Sequence, residues 1–271
     1  VELAARSATD RRSRLICGLQ APLTLLNALR QSNVRVYSGV TSLAIEGSER
    51  VEALSFNHRG HPVLLTTALI LLHQGVVPNT QLSWSIGAKH EWNGEQLCWR
   101  PITDKWGRLG DWPIYVAGDS RGIVGAQASA VQGRLAALAI ARQLEKAPGT
   151  SARETVLWQE LAGYVRIRPF LDALYRPKDE NRIPGPDAVI VCRCEEVTAG
   201  QIRSYVGLGC KGPNQTKAFG RCGMGPCQGR FCGLTVTEII AQARGVSPSD
   251  VGYYRIRSPI KPVMIGDFVG D

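Results

Sequence analysis

Several things are scarce in this 271-residue chain, and each shortage excludes a class of protein. No long apolar run exists: the longest aliphatic stretch, Leu135 to Ala141, is far short of the ~20 residues that cross a bilayer. The first residues carry Glu2, Arg6, Asp10, Arg11 and Arg12 before any sustained apolar segment, which is not the pattern of a secretory signal. Acid is short relative to base, with 23 Asp and Glu against 32 Lys and Arg, and the resulting net charge of +9 suits an anionic partner, nucleotide or cluster. The basic residues are scattered and no nucleic-acid-binding motif accompanies them, so no nucleic-acid partner is expected. Methionine is absent until Met224, and the chain starts at Val1, as a processed chain or a fragment would. No Ser-His-Asp or Cys-His arrangement and no carboxylate pair suited to acid–base work stands out, so no catalytic residue is assigned. The overall balance, 44% hydrophobic and 20% charged, is that of a folded globular chain.

The periodicities divide the chain. Asn33 to Tyr37, Val40 to Ile45, Val51 to Phe56 and Val63 to Leu65 read as strands, with a turn at Arg59-Gly60-His61. Ala68 to Leu72 and Ile114 to Val116 are short apolar runs of the kind found in buried parallel strands. Val124, Ala128, Val131, Leu135 and Leu138 form one apolar helical stripe, closed by Pro148-Gly149. Residues 151–176 read as helical, and the charged, Pro- and Gly-containing segment Pro177 to Pro186 as a linker. The expected boundaries are therefore 1–112, 113–150, 151–187, 188–245, and an irregular tail 246–271.

Cysteine is what the chain has in excess. Six of its eight cysteines lie between 192 and 232, a density that points to a metal centre in a chain without an export signal. Cys192-x-Cys194 and Cys227-x4-Cys232 form two close pairs, and four thiolates brought together hold zinc or an iron–sulfur cluster. Gly220, Gly223, Gly225, Gly229 and Gly233 crowd the second pair and let backbone N–H groups approach sulfur. Thr198 and Gln201 have capping-box spacing, so a helix is expected to start there, and another at Thr235 to Arg244 just after Cys232. Both helix N-termini would favour an anionic centre.

The segments Val191-Cys-Arg-Cys-Glu-Glu-Val-Thr198 and Gly223-Met-Gly-Pro-Cys-Gln-Gly-Arg-Phe-Cys232 resemble the bacterioferritin-associated ferredoxin domain, which binds [2Fe-2S]. They are closer still to the version fused to flavoprotein subunits: the A subunits of opine oxidases, the large subunits of hydrogen cyanide synthases, and related amino-acid dehydrogenases. The resemblance implies Cys192, Cys194, Cys227 and Cys232 as ligands. It leaves Cys222, also five positions before Cys227, and Cys210 as buried small residues, while Cys17 and Cys98 read as structural.

A second constellation concerns flavin. Ile114-Tyr-Val-Ala-Gly-Asp119 is an apolar run ending in Gly-Asp, followed by a small-residue helix start at Ile123, Gly125 and Ala126. Ligands of open α/β sheets bind beyond strand C-termini, and helix N–H groups can meet a phosphate or flavin edge there. Upstream, Leu71-Leu-His73-Gln-Gly75-Val-Val-Pro78 is an apolar run ending in Gly-x-x-Pro. Together the two resemble the back half of two-dinucleotide-binding flavoproteins of the disulfide-reductase type. That resemblance implies Asp119 as the main FAD contact, then Gly118, Ile123, Gly125 and Ala126, with His73, Gly75 and Pro78 at the upstream segment. No Gly-x-Gly-x-x-Gly follows an early strand, so FAD binding is expected to need an N-terminal region that this chain lacks.

The expected fold is α/β, the back half of such a flavoprotein, plus a small mainly helical [2Fe-2S] domain. The implied function is an electron-transfer subunit, carrying FAD and [2Fe-2S], of a cytoplasmic heteromeric amine or amino-acid oxidoreductase. Its implied partners are a second flavoprotein subunit of glycine- or D-amino-acid-oxidase type and an acceptor protein or quinone, with peripheral membrane association only through the acceptor. The alternatives are a non-catalytic ferredoxin-like docking module and a structural zinc protein.

Overall fold

The computed structural model describes residues 24, 27–32, 34–73, 75–145 and 151–269. Cys17, half of the stretch from Ala21 to Arg30 that the sequence also reads as helical, and Pro148-Gly149 lie outside them, while residues 27–31 are helical. The chain divides into two compact units, Val1–Gln74 and Gly75–Asp271.

The first unit is built on an antiparallel meander of β1 (Thr41–Glu46), β2 (Ala53–His58) and β3 (His61–Thr66). His58 pairs with His61 across Arg59-Gly60, and both turn residues have positive φ, which matches the right-handed twist of the flanking strands. The central strand buries Ala53 and Phe56. Residues 34–38 do not form the expected strand; instead the Tyr37 ring meets Phe56 edge-on at 5.1 Å. Nor does Ala68 to Leu72 form a parallel strand. Leu69, Leu71 and Leu72 are exposed, and no strand among the described residues pairs with them. Apolar character alone cannot make a strand without a neighbour to satisfy its backbone.

The second unit opens with a short helix α1 (Gln81–Ser85) and a hairpin of β4 (His90–Asn93) and β5 (Cys98–Pro101). The expected parallel strand at Ile114 to Val116 is a correction too. It folds back antiparallel on its own upstream segment, through Leu109 N–H to Ile114 C=O (3.0 Å) and Val116 N–H to Gly107 C=O (2.7 Å). A local partner within about ten residues costs little loop entropy to reach. A 3₁₀ turn, Gly118–Arg121, leads to α2 (Ala126–Gln143). The apolar stripe does become its buried face: Ala128, Val131 and Leu135 lock against Leu157 and Leu161 of α3 (Ser151–Val165). The short helices α4 (Arg168–Leu174) and α5 (Asp179–Arg182) follow.

The remainder is the cysteine-bearing module. A two-stranded ribbon of β6 (Ile190–Cys192) and β7 (Val197–Thr198) precedes α6 (Ala199–Gly207), α7 (Pro213–Gly220), α8 (Gly233–Arg244) and α9 (Pro248–Val251). The capping box at α6 forms as its spacing predicts: Gln201 N–H donates to the Thr198 hydroxyl, and Thr198 N–H to the Gln201 side chain. Ile202, Val236, Ile239, Ile240 and Tyr254 are fully buried in one core. Burying each of the aliphatic ones is worth about 1.5–3 kcal/mol.

The structure's boundaries differ from those expected. The single break lies after residue 74, and the segment 75–187 shares a unit with the module. Trp84 and Ile183 lie against the module's core, and Arg182, inside the segment read as a charged linker, is half-buried in an ion pair with the buried Glu238. The tail is not merely irregular either, because Val251, Tyr254 and Ile256 complete the same core. Short segments fold onto a neighbour when they carry an apolar side chain that the neighbour lacks the bulk to cover itself.

Candidate metal centre

Five of the six module cysteines come together, in two groups. Cys192 (end of β6), Cys222 (after α7) and Cys232 (the N-cap of α8) are buried, and their sulfur atoms lie within 4.8 Å of one another. Cys194, exposed, donates to Cys227 Sγ at 3.7 Å. Cys210 stays apart, its thiol turned to the Gly212 carbonyl at 3.3 Å. The four cysteines proposed from the resemblance are thus distributed between both groups. Cys222, read as an inert buried residue, is buried but sits among the thiols.

Glycine makes the approach feasible. A Cβ on Gly225 would overlap the Cβ of Cys194, and one on Gly229 would lie 2.6 Å from the Tyr254 ring. Gly229 also has φ of 75°, a conformation that side chains disfavour. Tyr254, with no exposed surface, sends its hydroxyl to Cys222 Sγ at 3.4 Å and lies 3.3 Å from the Thr216 hydroxyl.

Hydrogen bonding ranks the thiols. The Cys232 thiol chiefly, opposed by burial and helped by Tyr254, brings Cys222 down to about 7. Donating that bond, and then burial, drives Cys232 upward. Burial opposes ionisation of Cys227, yet the N–H groups of Phe231, Gly229 and Arg230 and the Cys194 thiol together lower it. For Cys194 the Cys227 N–H favours the thiolate, but its own bond to Cys227 Sγ and the neighbouring thiols carry the net shift upward. The structural reading of Cys98 agrees with its chemistry: burial foremost pushes it up to about 12.

An all-thiol donor set of this kind fits a soft, thiophilic metal or iron–sulfur centre. No carboxylate or imidazole among the described residues joins the buried trio. The centre is also flanked by aromatic rings. Trp84 stacks on Tyr253 (5.3 Å between centroids) and on His90 (3.7 Å), and meets Trp99 edge-on. Trp84 and Trp99 therefore belong to an aromatic group that reaches the module through Tyr253.

The flavin-type loop is different. Asp119 Oδ1 accepts the N–H groups of Val124 (2.9 Å) and Gly125 (3.0 Å), so it ties the loop that starts α2. Gly118 N–H donates to the Gln132 side chain, Ile123 is buried, Gly125 is the N-cap, and Ala126 begins the helix. These five residues are brought together. Gln96 was missed from sequence: its amide pairs with both the N–H and C=O of Ile123 and reaches Asp172. Only its position in a hairpin turn signalled it. His73 is an exposed residue of the first unit, whereas Gly75 (φ 117°) and the buried Pro78 belong to the second.

Comparison with known proteins agrees with this anatomy. Residues 189–270 match the sarcosine oxidase A3 domain, so the matched module includes the tail that carries Tyr254. The crystal structure of L-proline dehydrogenase from P. horikoshii superposes with a TM-score of 0.67 at 23% identity, covering 89% of this chain and 47% of that one. The fold is thus of the mixed α/β type found in that dehydrogenase. In sequence, the chain is similar to the A subunits of opine oxidases: to that of Rhizobium meliloti it is 49% identical over 86% of this chain and 44% of the relative. Hydrogen cyanide synthase subunit HcnB of Pseudomonas protegens is 32% identical over 72% of this chain and 41% of its own length. The chain is an opine oxidase A-like sequence that spans about half the length of the curated relatives it matches. The resemblance read from the cysteine motifs therefore stands.

Proposed function

We propose that this chain is an electron-transfer portion of a heteromeric amine or amino-acid oxidoreductase. The observation that carries the reading is the convergence of five thiols in a module joined to a dehydrogenase-like fold. The proposed centre is [2Fe-2S], with Cys194 and Cys227 as one ligand pair and Cys192 and Cys232 as the other. When bound, such a cluster supplies one-electron transfer, and FAD supplies the two-electron acceptance that C–N oxidation requires. The module's own residues do the remaining work. Gly225 gives Cys194 room, Tyr254 and Thr216 orient the neighbouring Cys222, and the N–H groups of Gly229, Arg230 and Phe231 favour thiolate at Cys227.

The proposed FAD contact is the Gly118–Ala126 loop, with Asp119 foremost and with Gly75 and Pro78 as the upstream segment. Gln96 would position that loop by holding Ile123. The names of the relatives support an opine or another amino-acid-derived amine as substrate class. Their subunit names support a multi-subunit assembly, and the proposed partner is a second, flavin-bearing subunit, with an acceptor protein or quinone beyond it. The proposed location is the cytoplasm; among the described residues, no helix is long and apolar enough to cross a membrane.

The test is anaerobic purification followed by iron and acid-labile sulfide analysis. A visible absorption that bleaches with dithionite is expected. A second reading, a structural zinc site, is favoured by the buried trio alone, which is compact enough for one ion. Colourless protein with stoichiometric zinc would establish it and remove the cluster.

A further inference from the structure

Acid is missing from much of the module's surface. Between Val197 and Thr237 there is no Asp or Glu, while Arg203, Lys211, Lys217, Arg221 and Arg230 stand in that stretch. Between Val251 and Gly266 there is again none, against Arg255, Arg257 and Lys261. Of the acids nearby, Glu238 is buried against Arg182 and Glu195 is held by Arg221 at 3.0 Å, which leaves Glu196 as the exposed carboxylate beside the ribbon.

Part of this positive charge adjoins the exposed thiols. The Arg230 guanidinium donates to the Ile260 carbonyl (3.2 Å), and the Lys217 ammonium to the Arg255 carbonyl (2.9 Å), which joins the two acid-free stretches. The backbone N–H groups of Arg230 and Phe231 donate to Cys227 Sγ, so both side chains arise from the segment that holds the half-buried partner of the exposed Cys194. Arg193 is the exposed neighbour of Cys194. In the same place the chain leaves apolar side chains in water: Phe231 is 81% exposed and Met224 43%. An exposed aromatic anchor beside a ring of cations is the anatomy of a docking patch, the apolar centre giving contact and the charge giving steering.

We infer that the rim formed by Arg193, Arg230 and Lys261 around Phe231 and Met224 docks a redox protein whose own face has an apolar centre ringed by carboxylates. This rests on the proposed role of the thiol centre as an electron carrier and adds where its protein partner sits. The exposed Cys194, paired with the half-buried Cys227, favours a protein over a nucleic acid as occupant, since electrons leave a buried centre best at its exposed edge.

The experiment uses the full chain prepared anaerobically and, as probe, fluorescently labelled plant-type ferredoxin, an acidic protein. Binding is expected by anisotropy, weakening at least about tenfold between low and high salt as surface charges are screened. Arg230→Glu and Phe231→Ser should each weaken it about five- to tenfold. Arg153→Glu, the same charge change on α3 outside the module, should leave it unchanged. Equal weakening by Arg153→Glu, or no salt dependence, overturns the inference. So does duplex DNA binding more tightly than ferredoxin through the same Arg230, which would make the patch a nucleic-acid site. Iron and sulfide are measured on every sample. If both are absent, the electron-carrier reading fails on that measurement alone. Ferredoxin binding by the metal-free chain, with the same dependence on Arg230 and Phe231, would still support the rim.

Discussion

In the thiol module five sulfur atoms gather in two groups, a buried trio and a pair nearer the surface, whereas in the Gly118–Ala126 loop the one carboxylate expected to meet a ligand turns toward its own helix. The difference is chemical. A cluster of buried thiols has little structural use by itself, because a thiol is a weak donor and weak acceptor. Its convergence therefore points outward, to a metal. An Asp at the start of a helix has an immediate structural use, satisfying N–H groups that the helix cannot. Its convergence with Val124 and Gly125 is explained without any cofactor, although its other oxygen remains available for one.

This comparison can be broken from either side. The largest effect is expected from Cys232→Ser. Iron and sulfide should fall to background, while Cys222→Ser retains them. Retention by Cys232→Ser, or loss by Cys222→Ser, would transfer the ligand role to a different member of the buried trio. Next comes Tyr254→Ala. Removing this fully buried ring, packed between Gly223 and Gly229, should cost about 3–5 kcal/mol in denaturant unfolding. An effect below about 1 kcal/mol would mean that the tail is dispensable to the module.

Asp119→Ala should cost about 1 kcal/mol through the lost N–H partners of the loop before α2. If it also lowers flavin content in a chain extended to the relatives' full length, the loop has both uses. Unchanged flavin content leaves only the structural one. A pH-dependent effect concerns His90, which burial foremost lowers to about 4 from the usual 6.5. Between those values the unfolded chain binds a proton that the folded chain does not, so stability should fall as pH drops from 6.5 toward 4. His90→Gln should flatten that slope, and an unaltered slope would place the titration elsewhere.

Local features were legible wherever one short segment decided them. The α6 capping box, the Arg59-Gly60 turn and the buried stripe of α2 all follow from neighbours in sequence. The two expected parallel strands failed for the opposite reason. A strand is defined by its partner, and the apolar runs at Ala68 to Leu72 and Ile114 to Val116 do not specify one. Ile114 to Val116 pairs with 107–109, and Ala68 to Leu72 pairs with no strand among the described residues. Arg182 was misread because its charge says water, while its partner Glu238 lies more than fifty residues further on.

The sequence by itself determined which atoms were available: paired cysteines, the glycines that admit them, and the helix signals that follow. Their spacing was enough to point to a thiol centre and to the relatives that this chain resembles. Only the tertiary structure decided how those atoms are grouped. It drew Cys222 in beside Cys192 and Cys232, paired Cys194 with Cys227 apart from them, and brought Tyr254 from the tail into the core. The physical reason is that grouping depends on packing between segments distant along the chain, where burial and steric fit select one arrangement among many that the same spacing permits.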